Sequence, residues 1–273
     1  MAPKKISQSV LPTVVSGVPS SWRLTDIGVN LTDGMYQGLY HHGTTPTHPG
    51  DVDLVCQRAQ AAGVSGMLIT GGTLSESTAA IELAIQCNEA AQQRSSLSTC
   101  ARLPMKCFAT VGCHPTRCNE FLEYEGGPDG YFEALVALIE KHRVSSGDGT
   151  SSAPHRVVAA IGECGLDYDR LEFCPKDVQL PYFEKQFELA RRFQLPMFLH
   201  NRNCGSDFFD ILRRHSHDVK AAVVHSFTGD LEELQRLLQL DGVYIGVNGC
   251  SLKTDENLAV AKRIPLERLL IET

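Results

Sequence analysis

The chain has 273 residues, 42% hydrophobic and 21% charged, ordinary globular usage that excludes a disordered or fibrous protein and leaves enough apolar material for a sizeable core. Its 25 basic against 32 acidic residues, a net charge of -7, exclude a generally basic surface for nucleic acid or anionic membrane, so a polyanionic ligand would need local positive charge. No apolar run approaches the ~20 residues that span a bilayer.

Residues 1–23 contain Lys4, Lys5 and Arg23 and no acid, and their apolar run VLPTVVSGV is short and interrupted by proline. That composition reads as a disordered tail, with an organellar transit segment as the alternative. From residue 24 onward, eight short apolar runs alternate with helix-period segments. The runs are LTDIGVNL, GMLITGG, CFATVGCHP, VVAAIGE, PMFLH, AAVVHSF, GVYIGVNG and LLIE. They are bounded by turn residues and mostly apolar at successive positions, which suits strands buried on both faces of a parallel sheet.

Between them, VDLVCQRAQAAGV and SESTAAIELAIQCNEAAQQR read as helices, the second with Ser75 as its N-cap. GYFEALVALIEKHR, VQLPYFEKQFELARRFQ, GSDFFDILRRH, DLEELQRLLQL and TDENLAVAKRI continue the rhythm. EYEGGPDG near 123 and VSSGDGTSSAPH near 144 read as loop insertions. Strand-helix alternation over this length predicts a TIM (β/α)8 barrel spanning 24–273 as one domain. A doubly wound open sheet is the alternative, because alternation does not show closure. No GxGxxG follows the first strand, which argues against a dinucleotide site. The ten cysteines form no CxxC pair and read as reduced thiols of an intracellular protein.

In such a barrel the active site lies where the strands end. The fourth apolar run ends at Glu163, the fifth at His200 and the sixth at His225. A lone histidine after an apolar strand is often a hydrogen-bonded core residue, and Glu163 alone could pair with an arginine. One carboxylate and two imidazoles on successive strand ends instead point to a divalent metal centre. Arg117, Arg170, Arg202 and Lys253 follow the third, fourth, fifth and seventh runs and are candidate phosphate donors, or solvated surface charges. His114, in GCHPTR, lies at the same level, as a further catalytic candidate, a phosphate contact or a shaper of the third loop.

GCHP, IGECGLDYDR, FLHNRN and HSFTG, in this order, resemble the TatD family of metal-dependent deoxyribonucleases, and DIGVNLTDGMY and YIGVNGCSLKT resemble its eukaryotic branch. The resemblance implies a TIM-barrel nuclease acting on DNA with two divalent ions, Mg2+, Mn2+ or Zn2+. It places the bridging glutamate on Glu163 and the later histidine ligands on His200 and His225. Tyr36, Tyr40 and Tyr168 become candidates for stacking on a nucleobase. The family's first-strand HxH pair falls on Gly28 and Asn30, neither an equivalent ligand, while Asp26 persists before them. The family's last aspartate would follow Thr273, and with it the final barrel helix. The expectation is therefore a barrel lacking its last helix, a 3' exonuclease in the nucleus or cytoplasm. The rival readings are a catalytically impaired nucleic-acid or metal-binding barrel and an amidohydrolase acting on a small molecule.

Overall fold

A computed structural model describes residues 22–40, 43–97, 105–144 and 155–273, with no side-chain description for 94–97. The expected tail up to residue 21 and the loop-insertion call over 145–154 lie outside the described residues. Eight parallel strands follow one another in space in chain order: β1 Leu24–Val29, β2 Val64–Ile69, β3 Lys106–Val111, β4 Val158–Asp167, β5 Met197–Arg202, β6 Ala222–Val224, β7 Val243–Val247 and β8 Leu269–Ile271. Closure is nearly complete. At the remaining seam the Thr273 N–H, just past β8, donates to Asp26 Oδ1 of β1 at 3.2 Å. This is the predicted (β/α)8 barrel rather than the open sheet.

The helices are α1 Val52–Ala61, α2 Leu74–Leu97, α3 Asn119–Glu123, α4 Gly127–His142, α5 Lys176–Phe193, α6 Asp207–Arg214, α7 Leu231–Leu238 and α8 Asp255–Ala261. The larger core lies between strands and helices, where Ile69, Val111, Ile161, Leu199 and Ile245 meet Ile81, Leu135, Phe183, Phe187 and Phe208. A smaller cluster inside the barrel takes one residue from each of seven strands: Ile27, Leu68, Ala160, Phe198, Val223, Tyr244 and Leu270. The successive apolar positions of the sequence are thus divided between two buried faces.

Three expectations change. The helix expected to be capped by Ser75 is capped by Thr73, whose Oγ1 accepts from the Glu76 N–H at 3.0 Å, while Ser75 Oγ lies 3.0 Å from that same hydroxyl. EYEGGPDG is only partly a loop: GPDG forms the first turn of α4, where Pro128 sits at a position whose missing N–H costs nothing. Above all, β4 does not end at Glu163 but runs on to Asp167, and β5 likewise runs past His200 to Arg202.

Two buried glutamines of α5 pair with strand backbone as another strand would. Gln186 Oε1 accepts from the Cys113 N–H at 2.8 Å while its Nε2 donates to the Cys113 carbonyl at 3.1 Å. Gln179 Oε1 accepts from the Asp167 N–H at 2.8 Å, and its Nε2 donates to the carbonyls of Asp167 and Cys174 at 2.9 and 2.8 Å. Buried peptide groups at two strand ends are thereby satisfied where the sheet ladder no longer serves them.

Candidate active site

The glycine pair that ends the ITGG run holds two site residues by their backbones. Gly71 O accepts from the Glu163 N–H and Gly72 O from the His114 N–H, both at 2.8 Å. Gly71 has no room to be larger, because a Cβ there would meet Ser77 Cα at 2.6 Å. Gly162 adopts φ 133°, and a Cβ on it would collide with the Phe198 carbonyl. These small residues let α2 close on the end of β2, and β5 on β4, at the level where the functional side chains emerge.

Those side chains converge on one oxygen. Glu163 Oε1 lies 2.9 Å from His200 Nδ1, 2.8 Å from His225 Nε2 and 3.4 Å from His114 Nε2. The second nitrogen of each ring is also engaged. His200 Nε2 faces Asp167 Oδ2 at 3.1 Å, and His225 Nδ1 faces Glu272 Oε2 at 3.2 Å. His114 Nδ1 accepts from the Thr116 N–H at 3.2 Å and lies 2.7 Å from Thr116 Oγ1. The Phe198 ring stacks on His225 with centroids 4.3 Å apart, and His114 packs edge-on against His200. Glu272, whose side chain is 2% exposed, also accepts from the Ser226 N–H.

The electrostatics follow from this geometry. Burial alone would raise the Glu163 carboxyl, but the charge of His225 and hydrogen bonds from all three imidazoles hold it well below the usual carboxylate range. Burial opposes protonation of His225, yet Glu163 and then Glu272 bring it up to about 10. His200 is likewise raised against burial, by Asp167 and Glu163. Asp167, fully buried in β4, is kept low by His200 and Arg170 despite desolvation.

This donor set suits a divalent cation. His114, Glu163 and His200 each offer a ligand atom within 4.8 Å of the others, a carboxylate and two imidazoles of the type that zinc, manganese and related ions accept. Asp167 and Glu272 stand behind His200 and His225 as carboxylates behind metal-binding histidines do. Sequence reasoning singled out neither: Asp167 was hidden by the assumption that the strand ended four residues earlier, and Glu272 reads from sequence only as the end of an apolar run.

Two cavities open from this centre and share Asn30, Thr70, His114 and Glu163 in their walls. One, of about 620 Å³, is bounded by Thr32, Asp33, Ser75, Glu76 and Arg117. The other, of about 370 Å³, includes Arg170, Asn201, Arg202, Thr228 and Asn248. Asn201 Oδ1 is buried without a hydrogen-bond partner, while its Nδ2 donates to Glu233 at 2.6 Å.

Of the four cations expected to meet phosphate, three line these cavities. Arg170 Nε lies 3.6 Å from Asp167 and Arg202 Nε 3.6 Å from Asp169, so both are part-neutralised, while Lys253 is exposed and lines neither cavity. Of the three tyrosines expected to stack on a base, Tyr36 is part-buried against the core and the other two are otherwise engaged. Tyr168 OH donates to Asp207 beneath Lys176, and Tyr40 OH lies 2.9 Å from His48. Gly28 and Asn30 do occupy the end of the first strand facing this centre, and a Cβ on Gly28 would run into the Glu272 carboxylate and Phe198.

A sequence profile of the family described as TatD related DNase matches residues 26–273. The chain belongs to the TatD related DNase family. It is 44% identical over 255 residues to the Deoxyribonuclease Tat-D of Schizosaccharomyces pombe, covering 93% of this chain and 72% of that protein. The 3'-5' ssDNA/RNA exonuclease TatD of Edwardsiella piscicida is 34% identical, over 92% of this chain and 78% of its own length. Among solved structures, a hydrolase TatD family protein from Entamoeba histolytica superposes with a TM-score of 0.74 at 37% identity, covering 92% of this chain and 73% of that one. An uncharacterized amidohydrolase from Saccharomyces cerevisiae gives 0.75 at 33% identity, with 92% and 75% covered. Among the described residues no helix is long and apolar enough to cross a membrane.

Proposed function

We propose that this chain is a divalent-metal-dependent deoxyribonuclease that hydrolyses DNA phosphodiester bonds from a 3' end, with 24–273 as a single catalytic barrel working inside the cell, in nucleus or cytoplasm. The observation that carries this reading is the convergence of three imidazole nitrogens on Glu163 Oε1 at the mouth of the barrel. The family membership and the names of the relatives support the ester-hydrolysing class and a nucleic acid as substrate. Nine cysteines, all free among the described residues, support a reducing compartment.

In this reading Glu163, His114, His200 and His225 would hold divalent ions, two of the Mg2+, Mn2+ or Zn2+ type. Such ions supply Lewis-acid polarisation of the phosphodiester and activation of water. The chain's own residues do the rest. Asp167 orients His200, and Glu272 orients His225, so that the rings keep one face to the centre. Arg117, Arg170 and Arg202 lie around the cavities where the nonbridging oxygens gain charge as water attacks phosphorus and the 3' oxygen departs. Two joined cavities allow the terminal nucleotide and the strand behind it to sit on opposite sides of the reacting phosphate.

The test is manganese-dependent release of nucleotides from a 3'-end-labelled single strand by wild type and Glu163→Gln, both shown folded by circular dichroism. Release by the wild type and not by the variant supports the proposal. Manganese binding without release, from folded protein, would leave a binding barrel in its place.

A further inference from the structure

Four Phe, Tyr or Trp side chains are strongly exposed among the described residues: Trp22, Tyr40, Tyr124 and Phe173. Trp22 precedes β1, so it lies at the end of the barrel opposite the site. Tyr40 lies against His48, and Tyr124 packs edge-on against Tyr131. Phe173 differs from these. It is 61% exposed, follows β4 at the end of the barrel where the site opens, and its ring meets no other aromatic ring or cation among the described residues.

The backbone, not the ring, fixes Phe173 in place. Its N–H donates to the Arg170 carbonyl at 3.2 Å, closing a four-residue turn whose end residues lie within about 7 Å of each other. Its carbonyl accepts from Asn119 Nδ2 at 2.9 Å, and the next carbonyl, that of Cys174, accepts from the buried Gln179 amide at 2.8 Å. Arg170 lines the narrower cavity, and Arg117, two residues before Asn119, lines the wider one. Phe173 itself lines neither. An exposed ring is thus held on the rim between two loops that bring an arginine to each cavity, with its backbone ordered before any ligand arrives.

We propose that Phe173 is a stacking platform for a base of the single strand that trails from the barrel mouth. The inference rests on the nuclease reading above and extends it to nucleotides beyond the reacting phosphate. Arg117 and Arg170 draw the phosphates of the strand to this side of the rim, where the ring offers its face to a base. Glu172, exposed in the same turn, repels phosphate at that spot and leaves the ring as the contact. Every base has a face to stack, so the contact tolerates any sequence. In a duplex those faces are already covered by neighbouring bases, so the contact favours an unpaired strand.

The test compares a thymidine single strand of about twelve nucleotides with the dinucleotide, in manganese, using wild type, Phe173→Ala, Phe173→Tyr and Leu171→Ala. Phe173→Ala should raise KM for the longer strand about tenfold with kcat held, and Phe173→Tyr should restore it. On the dinucleotide, too short to reach the rim, the loss should shrink below about twofold. Leu171, 40% exposed in the same turn, is the control: Leu171→Ala should keep the wild-type KM, which separates stacking from a disturbed turn. Because stacking releases no counterions, the ratio of wild type to Phe173→Ala should hold between about 0.05 and 0.2 M salt. An unchanged KM in Phe173→Ala, an equal loss on both lengths, or no restoration by Phe173→Tyr would each overturn the inference. Failure of the nuclease reading would look different, as no turnover of either length by wild type. The same variants would then be compared by fluorescence anisotropy of the labelled longer strand, where equal affinity of wild type and Phe173→Ala, or no binding by wild type, overturns the stacking role.

Discussion

The two sides of the barrel mouth are built differently. From β4 to β8 every polar side chain at the centre answers another: Glu163 meets His200 and His225, Asp167 backs His200, and Glu272 backs His225. From β1 to β3 the strand ends supply Gly28, Asn30, Thr70 and the glycine pair 71–72, with His114 as the imidazole they contribute to the cluster and, in front, the wider cavity that Asp33, Glu76 and Arg117 also line. One side concentrates charge that must be held in fixed geometry. The other contributes space and backbone carbonyls that accept from the Glu163 and His114 N–H groups, and the contrast teaches that the side with paired carboxylates and imidazoles is where substitution should hurt most.

The largest expected effect is therefore on the charged side. Glu163→Gln replaces the carboxylate that all three histidines share with a neutral amide, and turnover should fall by about 10³-fold or more, read as nucleotide release at saturating manganese. An undiminished rate would break the comparison outright. Next come the supporting carboxylates. Asp167→Asn and Glu272→Gln should each weaken manganese affinity by about 10–100-fold by calorimetry, since each frees a ring that the native residue orients.

Titration sharpens the same contrast. In the metal-free chain His225 is raised from 6.5 to about 10, so its stabilising contribution is complete below pH 6.5 and is lost as pH rises through about 10. Glu163 is lowered from 4.5, so its contribution is present above pH 4.5 and is lost as pH falls through its depressed value. Together they place the strongest apo network between about pH 4.5 and 6.5, to be seen as a maximum in the unfolding midpoint of chelator-treated protein. Because a cation must displace protons from His200 and His225, manganese affinity should fall as pH is lowered.

Smaller effects belong to the open side. Gly28→Ala would force Glu272 or Phe198 to move, costing about 1–3 kcal/mol by chemical denaturation. Asn30→Ala, at an exposed position, should cost within about 0.5 kcal/mol. If Asn30→Ala instead lowered manganese affinity as much as Asp167→Asn, the open side would be a ligand wall after all.

Much of this was legible in the sequence. Apolar runs at regular spacing announced the strands, because a parallel barrel buries both faces of each one. Glu163, His200 and His225 stood out as polar residues at the ends of such runs. What stayed hidden has physical reasons. The glycines at 162 and 165, both at positive φ, made CGLD look like the start of a loop and concealed Asp167, although the strand tolerates them and continues. Gln179 and Gln186 gave no signal, since nothing in a helical period distinguishes an amide that faces water from one that caps a strand end. Thr73 displaced Ser75 as the cap because the helix begins at Leu74, two residues earlier than a cap at Ser75 implies.

Those two glutamines carry a consequence for any attempt to rebuild this site elsewhere. They stand seven residues apart on α5 (186 − 179), about two helical turns or ~10.5 Å along its axis. Each grips the end of a different strand, one next to His114 and the other at Asp167. The helix thus acts as a caliper whose jaws set the span between the third and fourth strand ends. A chimeric barrel that borrowed these strands with a foreign helix would inherit the reactive groups without the gauge that spaces them. Asparagine would be too short a jaw, and glutamate would carry no N–H to offer the two carbonyls.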